Sequence, residues 1–191
     1  ATQFVENGVY KNVLVIGADT LTKITEYKDR STCVLFGDGA AAAILQATDE
    51  ETGVLGSVLG ADGDAGDVLT VCGLKVSELD KERRPFGNYR TIWMDGQLVY
   101  KFAVKTMVSS TIEVVENAGY TIDDIDLVNP HQANQRIIQS ARKRLGLDES
   151  RVCRMYPGSF VSGYRGRQNK KRSKIGYSEY GRRSYMGQCA Y

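Results

Sequence analysis

The sequence has little of what marks several protein classes. It holds one histidine, one tryptophan and three prolines in 191 residues. No run approaches the roughly 18 consecutive apolar residues that a membrane-spanning helix needs, so no helical span is expected. No basic leader with an apolar core follows Ala1, and no signal peptide is expected. The four cysteines, Cys33, Cys72, Cys153 and Cys189, lack both the density of a disulfide scaffold and the spacing of a zinc site. Reduced thiols, a cytoplasmic setting and no bound metal are the corresponding expectations. What is present, 42% hydrophobic and 25% charged residues, is the composition of a globular protein with room for one domain of ordinary size.

The net charge of +2 conceals a split. From Arg154 to Tyr191 there are nine Lys or Arg against one Glu, whereas residues 1–153 carry sixteen basic and 22 acidic side chains, a net −6. In those last 38 residues only Phe160, Val161 and Ile175 come from the Leu, Ile, Val and Phe set. Too little aliphatic surface is available there to offset the entropy of ordering the backbone. The pattern predicts a folded acidic body over 1–154 and a basic, Gly/Tyr/Arg-rich tail over 155–191 that is disordered.

Within the body, Ala1 to Tyr10 reads as the end of a helix stopped at Gly8. VLVIGA (Val13 to Ala18) is a continuous apolar run that fits a strand buried on both faces. STCVLFGDGAAAAILQA reads as strand, turn, strand, with the turn at Gly37-Asp38-Gly39. GVLGSVLGADG (Gly53 to Gly63) is another strand, and residues 64–93 read as a long loop. Tyr100 to Ala118 is the clearest helix, because Val104, Met107, Val108, Thr111, Ile112, Val115 and Ala118 recur on one face before Gly119. IDLVNP (Ile125 to Pro130) is a short strand. A second helix starts near Gln132 to Asn134 and runs to Leu145, with Ile137, Ile138 and Ala141 inward and Gly146 ending it. Strands alternating with helices predict an α/β architecture.

His131 sits between a strand end and a helix start, the place where ligands gather in α/β sheets. A helix N-terminus favours a neutral, hydrogen-bond-donating imidazole; a structural histidine satisfied by a backbone carbonyl is the alternative. Arg136, Ser140, Lys143 and Arg144 share one face of the following helix. On residue types alone they read first as a solvated helix face, with a surface for an anionic partner as the alternative. No cysteine has the basic helix-start surroundings of a reactive thiolate. YRGRQNKKRSK (Tyr164 to Lys174) interleaves cations with Tyr and Gly, but it matches no RNA- or DNA-binding module, so no nucleic-acid partner is expected.

Four segments taken together, NVLVIGADTLTKITEYKDRSTCVLFGDGAAAAIL, GVLGSVLGADG, MDGQLVYKFAV and VNPHQANQRIIQSARKRLGL, closely resemble β-ketoacyl-acyl carrier protein synthase III. This family supplies the initiating condensing enzyme of fatty-acid synthesis. The likeness covers about Ala1 to Arg154, and Asn129 to Arg136 is its most specific stretch. It implies a thiolase-like α/β fold, layered α-β-α-β-α and incomplete in this chain, and a homodimer. It implies acyl-CoA and malonyl-acyl carrier protein as substrates, with no further cofactor. His131 matches the histidine that donates a hydrogen bond to the malonyl thioester carbonyl, stabilising the enolate formed on decarboxylation. Gln132, Ala133, Asn134, Gln135 and Arg136 match the carrier-protein-binding segment, and Lys101, Lys143 and Arg144 join Arg136 as its basic docking surface. Arg30 matches a contact to the nucleotide part of CoA. Gly96, Tyr100 and Asn134 match the pantetheine channel, although the family more often has Phe where Tyr100 stands.

Two motifs of the family do not occur in the sequence: the Ala-Cys-Ser-Gly that carries the nucleophile, and the Gly-Asn-Thr or Gly-Asn-Ser that carries the asparagine. None of the four cysteines, nor Asn169, stands in a matching context. Of the Cys-His-Asn set only His131 is expected to be present. The sequence therefore reads as an internal piece of a synthase, inactive alone, whose likeness ends near residue 154. The alternative is a non-catalytic remnant that binds the carrier protein. In either case uncovered sheet edges and apolar faces are expected.

Overall fold

The computed structural model describes residues 1–49, 53–72, 76–84 and 86–153, and the backbone of 175–176 and 185–190. In chain order the elements are α1 (Thr2–Glu6), β1 (Asn12–Thr20), β2 (Asp38–Gln46), β3 (Val54–Gly60), β4 (Leu69–Val71), α2 (Glu78–Arg83), β5 (Ile92–Met94), α3 (Gly96–Asn117), β6 (Leu127–Val128), α4 (Gln135–Arg144), β7 (Ile175–Gly176) and β8 (Tyr185–Ala190). They divide into two compact units. The first comprises Ala1–Leu14, Ala43–Ala61 and Ala103–Tyr191, and the second Val15–Ala42 and Asp62–Phe102.

The first unit is organised by an apolar seam. Val114 and Val115 of α3, Ile125, Val128 of β6, Ile138 of α4, Leu147 and Val152 form one buried cluster, with Val58, Ala118, Tyr120, Ile122 and Leu145 packed against it. Ile125 and Ile138 are each 1% exposed. Both helices feeding the seam end as their glycines predict. Gly119 and Gly146 take φ of 78° and 68°, which an L side chain adopts only under strain. Each allows a paired closure: Gly119 N–H donates to Glu116 O and Tyr120 N–H to Val115 O, while Gly146 N–H donates to Lys143 O and Leu147 N–H to Arg142 O. The second bond of each pair carries the chain straight back into the seam through Tyr120 and Leu147. Arg151 closes the bottom of the unit by donating to the carbonyls of Ile122, Asp123 and Ile125. A parallel sheet in the order β3-β8-β7-β6 completes the unit, with Val152 bridged to Val128. Apart from the backbone of β7 and β8, the expectation about the basic tail, including the Tyr164 to Lys174 run, lies outside the described residues.

The second unit shows structure where periodicity predicts a loop. Within 64–93, β4 and β5 pair antiparallel and α2 lies between them in sequence. Ser77 and Asp80 form a reciprocal capping box, the local signal that starts α2. Arg84, 6% exposed, then ties this region to the hairpin, donating to the carbonyls of Thr91 and Thr70 and to the Thr70 hydroxyl. Arg83 pairs with Asp67 at 3.0 Å and lies over the Trp93 ring at 4.6 Å.

Two further expectations are corrected. STCVLF is a series of turns, not a strand, because the Asp29 carboxylate gathers the Ser31 N–H, the Ser31 hydroxyl and the Thr32 hydroxyl. Asp38 opens β2 rather than turning a hairpin, and accepts from the Thr22 N–H and hydroxyl. VLVIGA is a strand, but not a buried one: Leu14 and Ile16 of β1 and Ile44 of β2 are 59%, 65% and 68% exposed. Among the described residues β1 and β2 form a two-stranded sheet of their own, and such a sheet cannot by itself bury both of its faces.

Two outcomes follow. Ile138→Ala lowers stability by about 2–5 kcal/mol, read as a lower urea midpoint, whereas Lys143→Ala on the opposite face of α4 changes it by less than about 0.5 kcal/mol. Asp80 is held at about 2, first by the Ser77 hydroxyl, then by the Ser77 N–H and the Cys72 thiol. A carboxylate whose folded-state value lies below the ordinary 3.8 adds stability above that pH and loses it as pH falls. Amide protection of α2 therefore holds down to about pH 4 and declines between about pH 4 and pH 2, and Asp80→Asn removes that decline.

Candidate functional site

The first unit places His131 in a turn between β6 and α4, at the carboxyl end of its strand. The turn is held from below and on both sides. On the strand side, Val128 and Pro130 are buried and Cys153 N–H donates to Val128 O at 3.0 Å. On the helix side, Asn134 caps α4: its side-chain oxygen accepts from Arg136 N–H at 2.8 Å, and its carbonyl accepts from Ile137 and Ile138. Ile137, Ile138 and Ala141 anchor the first turns of α4 in the core. The helix begins at Gln135, so His131 stands three residues ahead of the cap and is exposed at the surface. Between His131 and the cap, Gln132 donates its Nε2 to Pro130 O at 2.9 Å.

Beyond the turn, α4 sorts its side chains by face. Ala133, Gln135, Arg136, Lys143 and Arg144 are exposed, and Ser140 is half-buried. Arg136, Lys143 and Arg144 form no ion pair among the described residues. Arg142, in the same last turn, is different. It donates to the Gln139 amide oxygen and to Leu147 O, both at 2.9 Å, and lies 3.8 Å from Glu149. The cations Arg142, Lys143 and Arg144 at the carboxyl end also complement the helix dipole. A cluster of cations can therefore stand there without an acidic partner for each.

The second unit holds the other sequence-predicted residues. Gly96, Tyr100 and Lys101 lie together on the first two turns of α3; Gly96 and Lys101 are exposed and Tyr100 is half-buried. Asp95, which sequence reasoning missed, starts the helix four residues earlier than predicted, because its carboxylate accepts the Gln97 and Leu98 N–H groups, each at 3.0 Å. An Asp immediately before a helical run is the signal that identifies such a cap. Arg30 is exposed within the Asp29 turn. Burial alone pushes the Asp29 carboxyl up, but hydrogen bonds from Ser31 and Thr32 outweigh it and hold the carboxyl below its usual value.

Two thiols, Cys72 and Cys153, are poor nucleophiles by environment. Burial, then a hydrogen bond to Asp80, pushes the Cys72 thiol up, and burial pushes the Cys153 thiol up. Cys33, Cys72 and Cys153 are free of disulfides. Among the described residues no group of three His, Cys, Asp or Glu is arranged to hold a metal ion, and no helix is long and apolar enough to cross a membrane.

Comparison with known proteins agrees with this layout. The 3-oxoacyl-[acyl-carrier-protein (ACP)] synthase III family matches residues 1–63, and the C-terminal part of the same family matches residues 115–157. The β-ketoacyl-[acyl-carrier-protein] synthase III of Caldanaerobacter subterraneus subsp. tengcongensis is 54% identical over 156 residues, covering 80% of this chain and 46% of that protein. The crystal structure of synthase III from Thermus thermophilus superposes with a TM-score of 0.70 at 44% identity, covering 80% of this chain and 46% of that one. The priming β-ketosynthase of the R1128 polyketide pathway superposes with a TM-score of 0.62 at 33% identity, covering 80% and 44%. The chain thus spans about half the length of the relatives it matches, and over that span it shares their thiolase-like α/β fold. On these grounds, the chain belongs to the 3-oxoacyl-[acyl-carrier-protein] synthase III family.

Proposed function

We propose that this chain carries the malonyl-acyl carrier protein half of a condensing-enzyme site. The observation that carries the reading is the exposed His131 at the head of α4, with the cations Arg136, Lys143 and Arg144 on that helix making no ion pair among the described residues. Decarboxylation of a malonyl thioester leaves its electron pair on the α-carbon, and the resulting enolate concentrates charge on the thioester oxygen. A histidine N–H aimed at that oxygen stabilises the charge as it develops. With carbon dioxide gone, the enolate carbon attacks an acyl thioester derived from acyl-CoA; that thioester's thiol leaves, and 3-oxoacyl-carrier protein forms. The cycle is redox-neutral and needs no cofactor beyond its two thioester substrates.

In this reading Arg136, Lys143, Arg144 and Lys101 attract an acidic carrier protein and its phosphopantetheine, with Gln132 to Gln135 as the segment beneath it. Arg30 contacts the CoA nucleotide, and Gly96, Tyr100 and Asn134 line the pantetheine path. The working enzyme is a cytoplasmic homodimer. The nucleophilic Cys and the Asn belong to motifs that do not occur in this sequence, so the 191-residue chain does not condense by itself. A second reading, a carrier-protein-binding module without chemistry, is favoured by the same absence. Acyl transfer for polyketide priming is a variant of the first reading, consistent with the likeness to the R1128 enzyme.

Titration with holo-acyl carrier protein tests the docking surface. Binding is saturable and weakens with salt. Arg136→Glu reduces it about tenfold, equivalent to about 1.4 kcal/mol. Binding that ignores the substitution contradicts the surface. The chemistry is tested with malonyl-carrier protein. The chain releases carbon dioxide slowly, His131→Ala abolishes that release, and no 3-oxoacyl product forms when acetyl-CoA is added. Carrier binding with no His131-dependent release selects the module reading; condensation by the chain overturns its expected inactivity.

A further inference from the structure

Gln132 stands in the segment assigned to carrier binding, yet its amide does not face outward. Its neighbours Ala133, Gln135 and Arg136 are exposed, whereas its Oε1 is buried and takes no hydrogen bond among the described residues. Its Nε2 donates to Pro130 O at 2.9 Å. That bond closes a ring from the Pro130 carbonyl, through the His131 backbone, to the Gln132 side chain. Both soft torsions of His131 lie inside this ring, so the bond restrains φ and ψ of His131 and hence the direction of its Cα–Cβ bond. The proline ring limits the residue before it, and the capped start of α4 limits the residues after it. Between them, the Gln132 bond adds a restraint across the backbone of His131.

We infer that Gln132 is a positioning residue for His131: its Nε2–Pro130 hydrogen bond fixes the turn that presents the imidazole. The inference rests on the proposed role of His131, because a hydrogen-bond donor aimed at a developing oxyanion is sensitive to misplacement on the ångström scale. The buried, unmatched Oε1 is the cost of the arrangement. An amide turned outward would satisfy that oxygen with water but would release the Pro130 carbonyl.

The sole histidine of the chain makes the test direct, since its imidazole gives one set of NMR correlations. In the full 191-residue chain, one Gln132 side-chain amide proton exchanges at least tenfold more slowly than those of exposed Gln97, and His131 shows a single sharp imidazole state. Gln132→Met removes both the bond and the unmatched oxygen at similar volume. It leaves the urea midpoint unchanged and doubles or broadens the His131 signals. Exchange at Gln132 as fast as at Gln97, or unchanged His131 signals in folded Gln132→Met, overturns the inference. If Gln132→Met does not fold, the exchange rate in the unaltered chain decides alone. Neither readout involves carrier protein or CoA, so failure of the carrier titration and failure of this inference are separate results.

Discussion

The apolar seam between α3, β6 and α4 is the constraint on which the rest of the first unit depends. Ile138 and Ala141, each 1% exposed, fix the rotation of α4 about its axis, because turning the helix would carry them into water. That rotation decides everything on the opposite face. Arg136, Lys143 and Arg144 are brought to the surface by the burial of residues one to four positions away, not by any attraction among themselves. The same seam sets the height of the His131 turn, since Val128 enters it from one side and Ile138 from the other. A hydrophobic constraint thus aims a polar site, and the site's own groups contribute little to holding it.

Electrostatics then sorts residues that the composition alone treats alike. Arg142, Lys143 and Arg144 are consecutive cations, but Arg142 bonds inside the unit while the two beside it do not. Arg151 and Arg84 are likewise internal, each donating to more than one backbone carbonyl. Arginine's fan of donors suits this work, and its charge is incidental to it. The cations free to meet a partner are those whose guanidinium or ammonium is not already closing a loop.

Much of this was legible in the sequence, and the misses share one physical cause. The 3.6-residue recurrence of Val104, Met107, Thr111 and Val115 located α3, and Gly119 and Gly146 located helix ends, because those signals lie within a single turn of chain. The position of His131 at a strand-to-helix junction was likewise readable. Features set by partners distant in sequence were not. The exposure of Leu14, Ile16 and Ile44 depends on what packs against β1 and β2, which the apolar run VLVIGA cannot state. The hairpin and α2 within 64–93 depend on Arg84 reaching Thr70 and Thr91, and β4 and β5 are too short for a period of two to register. The inward turn of the Gln132 amide left no trace in residue types, since an exposed glutamine in that segment reads the same.

The basic tail offers a competing attraction for an acidic partner, with nine Lys or Arg between Arg154 and Tyr191. In the proposed function, recognition belongs to the His131 turn and α4 instead. The most direct test is to load a carrier protein with a pantetheine arm ending in a photoreactive malonyl analogue, cross-link it to the full chain, and map the attachment by mass spectrometry. The account predicts attachment within residues 131–136. Attachment confined to residues 154–191 would contradict it, because charge alone would then explain the binding.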